Sequence, residues 1–353
     1  MLIGRSREIE ALDKLLDGAA AGAGGIRVVV GEPGIGKTRL ADEISAHAAE
    51  RKVSIAWGRA WETGGAPAYW PWIEILRVLA ADGREVPPRL AALLDRTSPI
   101  AFAEGARGDA ARERFDLFET VAAFLRGCAR QGPLLLAFDD LHAADLPSLE
   151  LLAFVARGLR SSRIAILGTC RDAESRMDPV AEVLRRITRE GEVLALRPLA
   201  REEVAEIVRQ ELGRFDAPFA GALYDLTEGN PLFVHETLVA VAAGPQGQPL
   251  EALRRVPLGG GVQALLRDRL AQAAPGTRAL LDVAAALGRE IELPLLAEVA
   301  ALQSLEARQQ LDEAVARGIL IERGDDRWAF SHVLVREALY RGLVRERRDA
   351  ARV

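Results

Sequence analysis

The feature that most constrains this chain is a short apolar run, Ile26 to Val30, leading directly into Gly31-Glu32-Pro33-Gly34-Ile35-Gly36-Lys37-Thr38 and then into a helical stretch from Arg39 to Arg51. A β-branched run of that length, apolar except for Arg27, predicts a strand buried on both faces of a parallel sheet. The glycines allow a tight turn whose backbone N–H groups can wrap an anion at the following helix N-terminus. The spacing GxxxxGKT in this strand-to-helix setting is that of a phosphate-binding loop.

Other runs of the same character follow at Val53 to Trp57, Leu134 to Phe138, Arg163 to Leu167 and Val193 to Leu196, with helical stretches such as Leu149 to Leu159 and Val180 to Thr188 between them. Alternating strands and helices predict an α/β fold with a parallel sheet and helices on both faces. Ahead of the first strand, Ser6 is placed to cap a helix with apolar positions Ile9, Leu12, Leu15 and Leu16. The stretch from about 58 to 133 is far longer than a crossover helix needs and reads as an insertion. Within it Ala68-Tyr69-Trp70-Pro71-Trp72 concentrates aromatics, which reads as a packed loop-to-helix junction before it reads as a ligand surface.

Past about residue 198 the strand signal fades. Helical patterns over Arg201 to Leu212, Pro218 to Thr227 and Pro231 to Ala243 predict a small helical lid, followed by a linker at Gly244-Pro245-Gln246-Gly247-Gln248-Pro249 and a second glycine run at Gly259-Gly260-Gly261. Helices are expected over Val262 to Ala273, Thr277 to Leu287, Pro294 to Ala301 and Ser304 to Arg317. A hairpin, Ile319 to Glu322 with Arg327 to Phe330, and a last helix complete a winged-helix pattern. The expected division is therefore 1–198, 199–256 and 257–353, as 353 residues suit two or three domains.

Composition narrows the function classes. Hydrophobic residues at 49% and charged residues at 27% describe a folding chain, and a net charge of -5 argues against a strongly basic nucleic-acid binder. No apolar run approaches the roughly 18 residues of a membrane helix, and the start lacks a signal-peptide layout, so a cytoplasmic protein is expected. Cys128 and Cys170 read as core residues, and the four histidines are too scattered for a metal site.

In a nucleotide site Lys37 reaches the β- and γ-phosphates and the Thr38 hydroxyl ligates Mg²⁺. Lysine stands only at positions 14, 37 and 52 in a chain that otherwise uses arginine, so Lys37 runs against the local bias; a compact ammonium is what the loop requires. Leu134 to Phe138 ends in Asp139-Asp140. Asp139 is the expected Mg²⁺ carboxylate and Asp140 the candidate for polarising the attacking water, the alternative being that Asp140 caps the next turn. Arg171 follows the fourth strand at the sheet edge where ligands bind and can sense the γ-phosphate, a salt bridge with Asp172 being the competing role.

Together these residues resemble the STAND class of signalling ATPases, in particular the ATPase module of large LuxR-type transcriptional regulators and of cyclase-linked AAA-type ATPases. The resemblance spans nearly the whole chain: Ile3-Gly4-Arg5, the loop Gly31 to Leu40, Asp139-Asp140-Leu141-His142 with Ala144-Asp145, Gly168 to Asp172, Glu228 to Phe233, and Phe330-Ser331-His332 with Val335 to Ala338. It implies a nucleotide site drawing on Ile3, Gly4 and Arg5 on the adenine side. The loop residues Pro33, Gly34, Ile35, Gly36, Lys37, Thr38 and Arg39 hold the phosphates, with Pro231 near the base and His332 at the β-phosphate. It also implies that ADP holds a closed state and ATP permits self-association, with slow hydrolysis between. An aromatic residue usual in such relatives is replaced by Ala143. The relatives continue into a repeat sensor where this chain stops at Val353, which suggests a fragment or a short relative.

A ring-type remodelling motor is the alternative expectation. DNA reading by the winged helix ranks below both, because Ser304 to Arg317 carries Glu306, Asp312 and Glu313 against Arg308 and Arg317.

Overall fold

The computed structural model describes residues 2–60, 67–81, 85–94, 107–171, 179–212, 216–242, 273–288, 290–324, 326–331 and 338–340, with positions 253, 270, 335 and 336. The chain divides into two compact units, Met1–Arg197 and Pro198–Val353.

The first unit is built on a five-stranded parallel sheet in the order β2-β3-β4-β1-β5, from β1 (Gly25–Val30), β2 (Ser54–Arg59), β3 (Leu134–Asp139), β4 (Ile164–Cys170) and β5 (Glu192–Ala195). The period of two decides which side each residue serves. Leu134, Leu136 and Phe138 of β3 join one hydrophobic cluster and Leu135 the other. On the Leu135 side lie α1 (Ser6–Ala20) and α2 (Lys37–Glu50), through Leu12, Leu16, Leu40 and Ile44. On the Phe138 side lie α3 (Trp70–Ala81), α4 (Pro88–Leu94), α5 (Arg107–Gln131), α6 (Leu146–Arg157) and α7 (Pro179–Glu190). The expected strands and the two-faced layering are therefore present. Ser6 does not cap α1: Arg5 occupies the cap position, with no side-chain cap bond, and Ser6 is the first helical residue.

The insertion between β2 and β3 holds α3, α4 and α5, and its aromatics are largely core. Trp72 is fully buried and Tyr69 nearly so. Gly58 in β2 permits the close approach, since a Cβ there would stand 2.2 Å from the Pro71 carbonyl oxygen. Both cysteines are buried thiols outside any disulfide.

In the second unit α8 (Arg201–Leu212), α9 (Ala217–Thr227) and α10 (Pro231–Ala242) share a core of Val204, Val208, Phe219, Leu223, Val234 and Leu238. Glu228, left-handed at φ 48°, ends α9, Gly229 at φ 74° follows in close approach to Leu199, and the Asn230 side chain accepts from the Leu232 N–H at 3.1 Å to open α10. Further on, α11 (Pro275–Leu287), α12 (Leu293–Val299) and α13 (Ser304–Ala316) pack on a three-stranded antiparallel sheet of β6 (Glu290–Glu292), β7 (Leu320–Gly324) and β8 (Arg327–Phe330), ordered β6-β8-β7. The expected hairpin is β7 and β8. The third strand, β6, has no counterpart in the sequence reading because three residues with one apolar position, Ile291, carry no alternation to detect. The linker segments at 244–249 and 259–261, and most of the helix expected over 262–273, lie outside the described residues.

Candidate functional site

The loop at Gly31 to Thr38 joins β1 to α2, with Gly34 at φ 81° and Gly36 at φ 98°. Only glycine adopts these values without strain. A Cβ at Gly36 would meet no atom within 4 Å, so the turn opens onto free space just where α2 begins. The loop is braced from both sides. Ile35 sends its side chain into the core, while its carbonyl accepts from an Arg5 guanidinium N–H at 3.0 Å.

Lys37 is buried, and its ammonium donates to the Gly31 carbonyl at 2.9 Å and the Glu32 carbonyl at 3.0 Å. Burial pushes it below the ordinary lysine value of 10.5; Arg171 adds to this, and the charges of Asp140, Cys170 and Asp139 oppose it. The N–H groups that open α2, left without partners inside the helix, and this ammonium form a positive cradle of the kind that holds phosphate.

Asp139 closes β3 on the α2 side of the sheet and is buried, 6% exposed as a residue. Thr38 Oγ1 lies 3.2 Å from each of its oxygens, and Thr169 Oγ1 donates to Oδ1 at 2.5 Å. The same Thr169 hydroxyl accepts from the Asp140 N–H at 2.9 Å. Sequence reasoning did not assign Thr169 a role. The signal was a hydroxyl at the sheet-edge end of an otherwise apolar central strand, a position where an uncompensated polar group is costly.

Asp140 has a left-handed backbone, φ 58° and ψ 45°, and heads a 3-10 turn, Leu141–Ala143, without a side-chain cap bond. Its carboxylate is 39% exposed, with His142 Nδ1 3.8 Å from Oδ1. The capping alternative is therefore not what its side chain does; the cap of the next helix, α6, comes from Asp145, which accepts from the Ser148 N–H at 2.9 Å and from the Ser148 hydroxyl at 2.6 Å. Arg171 follows β4, half-buried, and its charge reaches Lys37. Asp172, its alternative partner, lies outside the described residues, as does His332.

Lys37, Thr38, Asp139, Asp140 and Arg171 thus gather at one edge of the sheet, with Arg5 behind the loop. Ile3 and Gly4 are half-buried ahead of Arg5, and Arg39 is exposed in the first turn of α2. Pro231 belongs to the second unit, where it is the first residue of α10. The donor set fits a nucleotide with a hard divalent cation: a buried carboxylate beside a threonine hydroxyl supplies oxygen ligands, and the ammonium and backbone amides supply the phosphate partners.

Residues 1–167 match the AAA ATPase domain family. An uncharacterized protein of Rhizobium meliloti (strain 1021) is 24% identical over 378 aligned residues, which take in 99% of this chain and 36% of the relative. The chain therefore spans about a third of the length of that curated relative. Among solved structures, the Walker-type ATPase PABY2304 of Pyrococcus abyssi shares the fold at 15% identity with a TM-score of 0.58, covering 96% of each chain. The ORC2 protein of Aeropyrum pernix, solved as ADPNP-ADP complexes, does so at 16% identity with a TM-score of 0.59, covering 96% of this chain and 93% of its own. With the loop, the carboxylate and the strand order in place, the chain has the fold of a P-loop ATPase, and its residues 1–167 match the AAA ATPase domain.

Proposed function

We propose that this chain is a slowly hydrolysing regulatory switch, of the STAND signal-transduction type and part of a transcriptional regulator, in which ADP holds a closed state and ATP permits self-association. The observation that carries the ATPase chemistry is the run of contacts from Thr38 to Asp139 to Thr169 to the Asp140 backbone. Lys37 would exchange its loop carbonyls for phosphate oxygens, and Thr38 with Asp139 would hold Mg²⁺, which supplies charge neutralisation on the phosphates. Asp140, half-exposed beside that pair, would orient a water and accept its proton. Arg171 would answer the γ-phosphate, which ADP lacks, and so tell the two nucleotides apart. Ile3, Gly4, Arg5, Pro231 and His332 are assigned to the nucleotide by the family resemblance alone.

The helices and three-stranded sheet of the second unit support the reading of a lid and a winged helix, with the division at 199–256 and 257–353. A regulatory switch needs such appended elements to convert the nucleotide's identity into a change of shape. The test is size-exclusion of the protein with ADP and with a non-hydrolysable ATP analogue, alongside steady-state turnover. Growth in mass with the analogue and turnover well below about 1 s⁻¹ are expected; identical profiles with sustained faster turnover would identify a motor instead.

A further inference from the structure

Trp72 lies in the insertion, outside every motif used above, yet it touches the acidic strand from behind. Its fully buried indole stands 4.8 Å from the Phe138 ring, and Phe138 immediately precedes Asp139. Its N–H donates to the Ser148 carbonyl, in the first turn of α6, at 3.0 Å. One side chain therefore grips both ends of the segment that carries Asp139, Asp140 and His142.

Two further bonds tie the insertion to the same segment. The Tyr69 N–H donates to Asp145 Oδ1 at 3.3 Å, and the Ala60 N–H donates to the Asp139 carbonyl at 3.1 Å. Tyr69 is held at φ 65°, a conformation that costs a bulky residue energy and persists only where the surroundings impose it. Asp140, at φ 58°, is held in the same region of backbone space between these anchors. A left-handed aspartate whose backbone is fixed by Thr169 on one side and by an anchored α6 on the other cannot relax without shifting its carboxylate.

We propose that Trp72 is a positioning residue for ATP hydrolysis: by bridging Phe138 and the start of α6 it holds the Asp139–Asp145 segment so that the Asp140 carboxylate faces the reacting water. The proposal rests on the reading of Asp140 given above. Because the ring contact and the hydrogen bond of Trp72 go to Phe138 and Ser148 and not to the phosphate loop, it sets the rate of hydrolysis and leaves nucleotide affinity alone.

The test compares Trp72→Phe, which keeps an aromatic ring and deletes the N–H donor, with Leu79→Ala, a buried change seven residues further along the same helix that leaves the Trp72 N–H bond to Ser148 in place. Single-turnover ATP hydrolysis and ADP affinity are measured on the full chain, well below each variant's unfolding temperature. Trp72→Phe is expected to lower the hydrolysis rate by about tenfold with ADP affinity unchanged, and Leu79→Ala to lower the unfolding temperature with the rate unchanged. A wild-type rate in Trp72→Phe, an equal loss of rate in Leu79→Ala, or a parallel loss of ADP affinity overturns the proposal. Asp140→Asn separates the two readings. If it still hydrolyses ATP, the assignment of Asp140 fails; if it is inactive while Trp72→Phe is unaffected, only the role of Trp72 fails.

Discussion

At the scale of single residues, Lys37 shows how a binding residue strains the fold that holds it. The ammonium is taken out of water and is partnered by two carbonyls and the nearby acidic charges, and burial still lowers its pKa below 10.5. A base whose pKa falls on folding carries a stability cost at neutral pH. That cost is relieved as pH rises from the lowered value towards the ordinary one. The neutral amine keeps the N–H groups it needs for both carbonyls, so its hydrogen bonds survive deprotonation. Without nucleotide, the unfolding free energy of wild type measured by urea is expected to improve relative to Lys37→Met as pH rises from neutral towards 10.5. A difference that is flat across this window would show that burial of the ammonium is not felt. Nucleotide binding should be abolished in the variant at every pH.

At the scale of elements, the informative contact is between β2 and α3. The insertion could have hung from the sheet as a loose excursion, but its first helix is seated on Gly58, where the Pro71 backbone occupies the space of a side chain. A methyl group at that position has backbone to displace, not a flexible side-chain tip. Gly58→Ala is expected to destabilise the protein by about 1–3 kcal/mol and to slow hydrolysis, because the same helix carries Trp72. Chemical denaturation and single-turnover kinetics check both; an unchanged midpoint would mean that α3 shifts freely. The segment Glu228 to Phe233 is explained at this scale too. Its left-handed glutamate and the glycine after it end α9, its asparagine caps α10, and its proline takes the first helical position, where the missing N–H costs nothing. Helix-breaking chemistry thus accounts for that motif before any contact with nucleotide is invoked.

At the scale of the whole molecule, a ligand that binds only the folded state stabilises it by mass action. ADP with Mg²⁺ at 100 times its dissociation constant is expected to add about 2.7 kcal/mol to wild type and nothing to Lys37→Ala. Scanning calorimetry of the two proteins measures this, and equal transitions with and without ADP in wild type would contradict nucleotide binding by the loop. Because the chain has two compact units, the nucleotide effect is expected first in the transition that unfolds the unit of Met1–Arg197.

Much of this was legible in the sequence for a physical reason. Strands buried on both faces carry few polar residues in their interiors, so Leu134 to Phe138 and Ile164 to Leu167 are wholly apolar and Ile26 to Val30 is apolar except for Arg27. The phosphate loop needs glycine where φ is positive and a lysine where charge is wanted, which leaves few other readings of Gly31 to Thr38. The starts of α9, α10 and α12, each marked by a proline, fall within a residue of the helical patterns in the sequence. Side-chain pairing between elements distant in sequence left no local trace. Nothing in the chain order announces that the Thr169 hydroxyl bonds Asp139, that Arg5 bonds the Ile35 carbonyl, or that Trp72 spans Phe138 and Ser148. The strand order β2-β3-β4-β1-β5 brings those residues together, and that order is set by how the helices cover the two faces of the sheet.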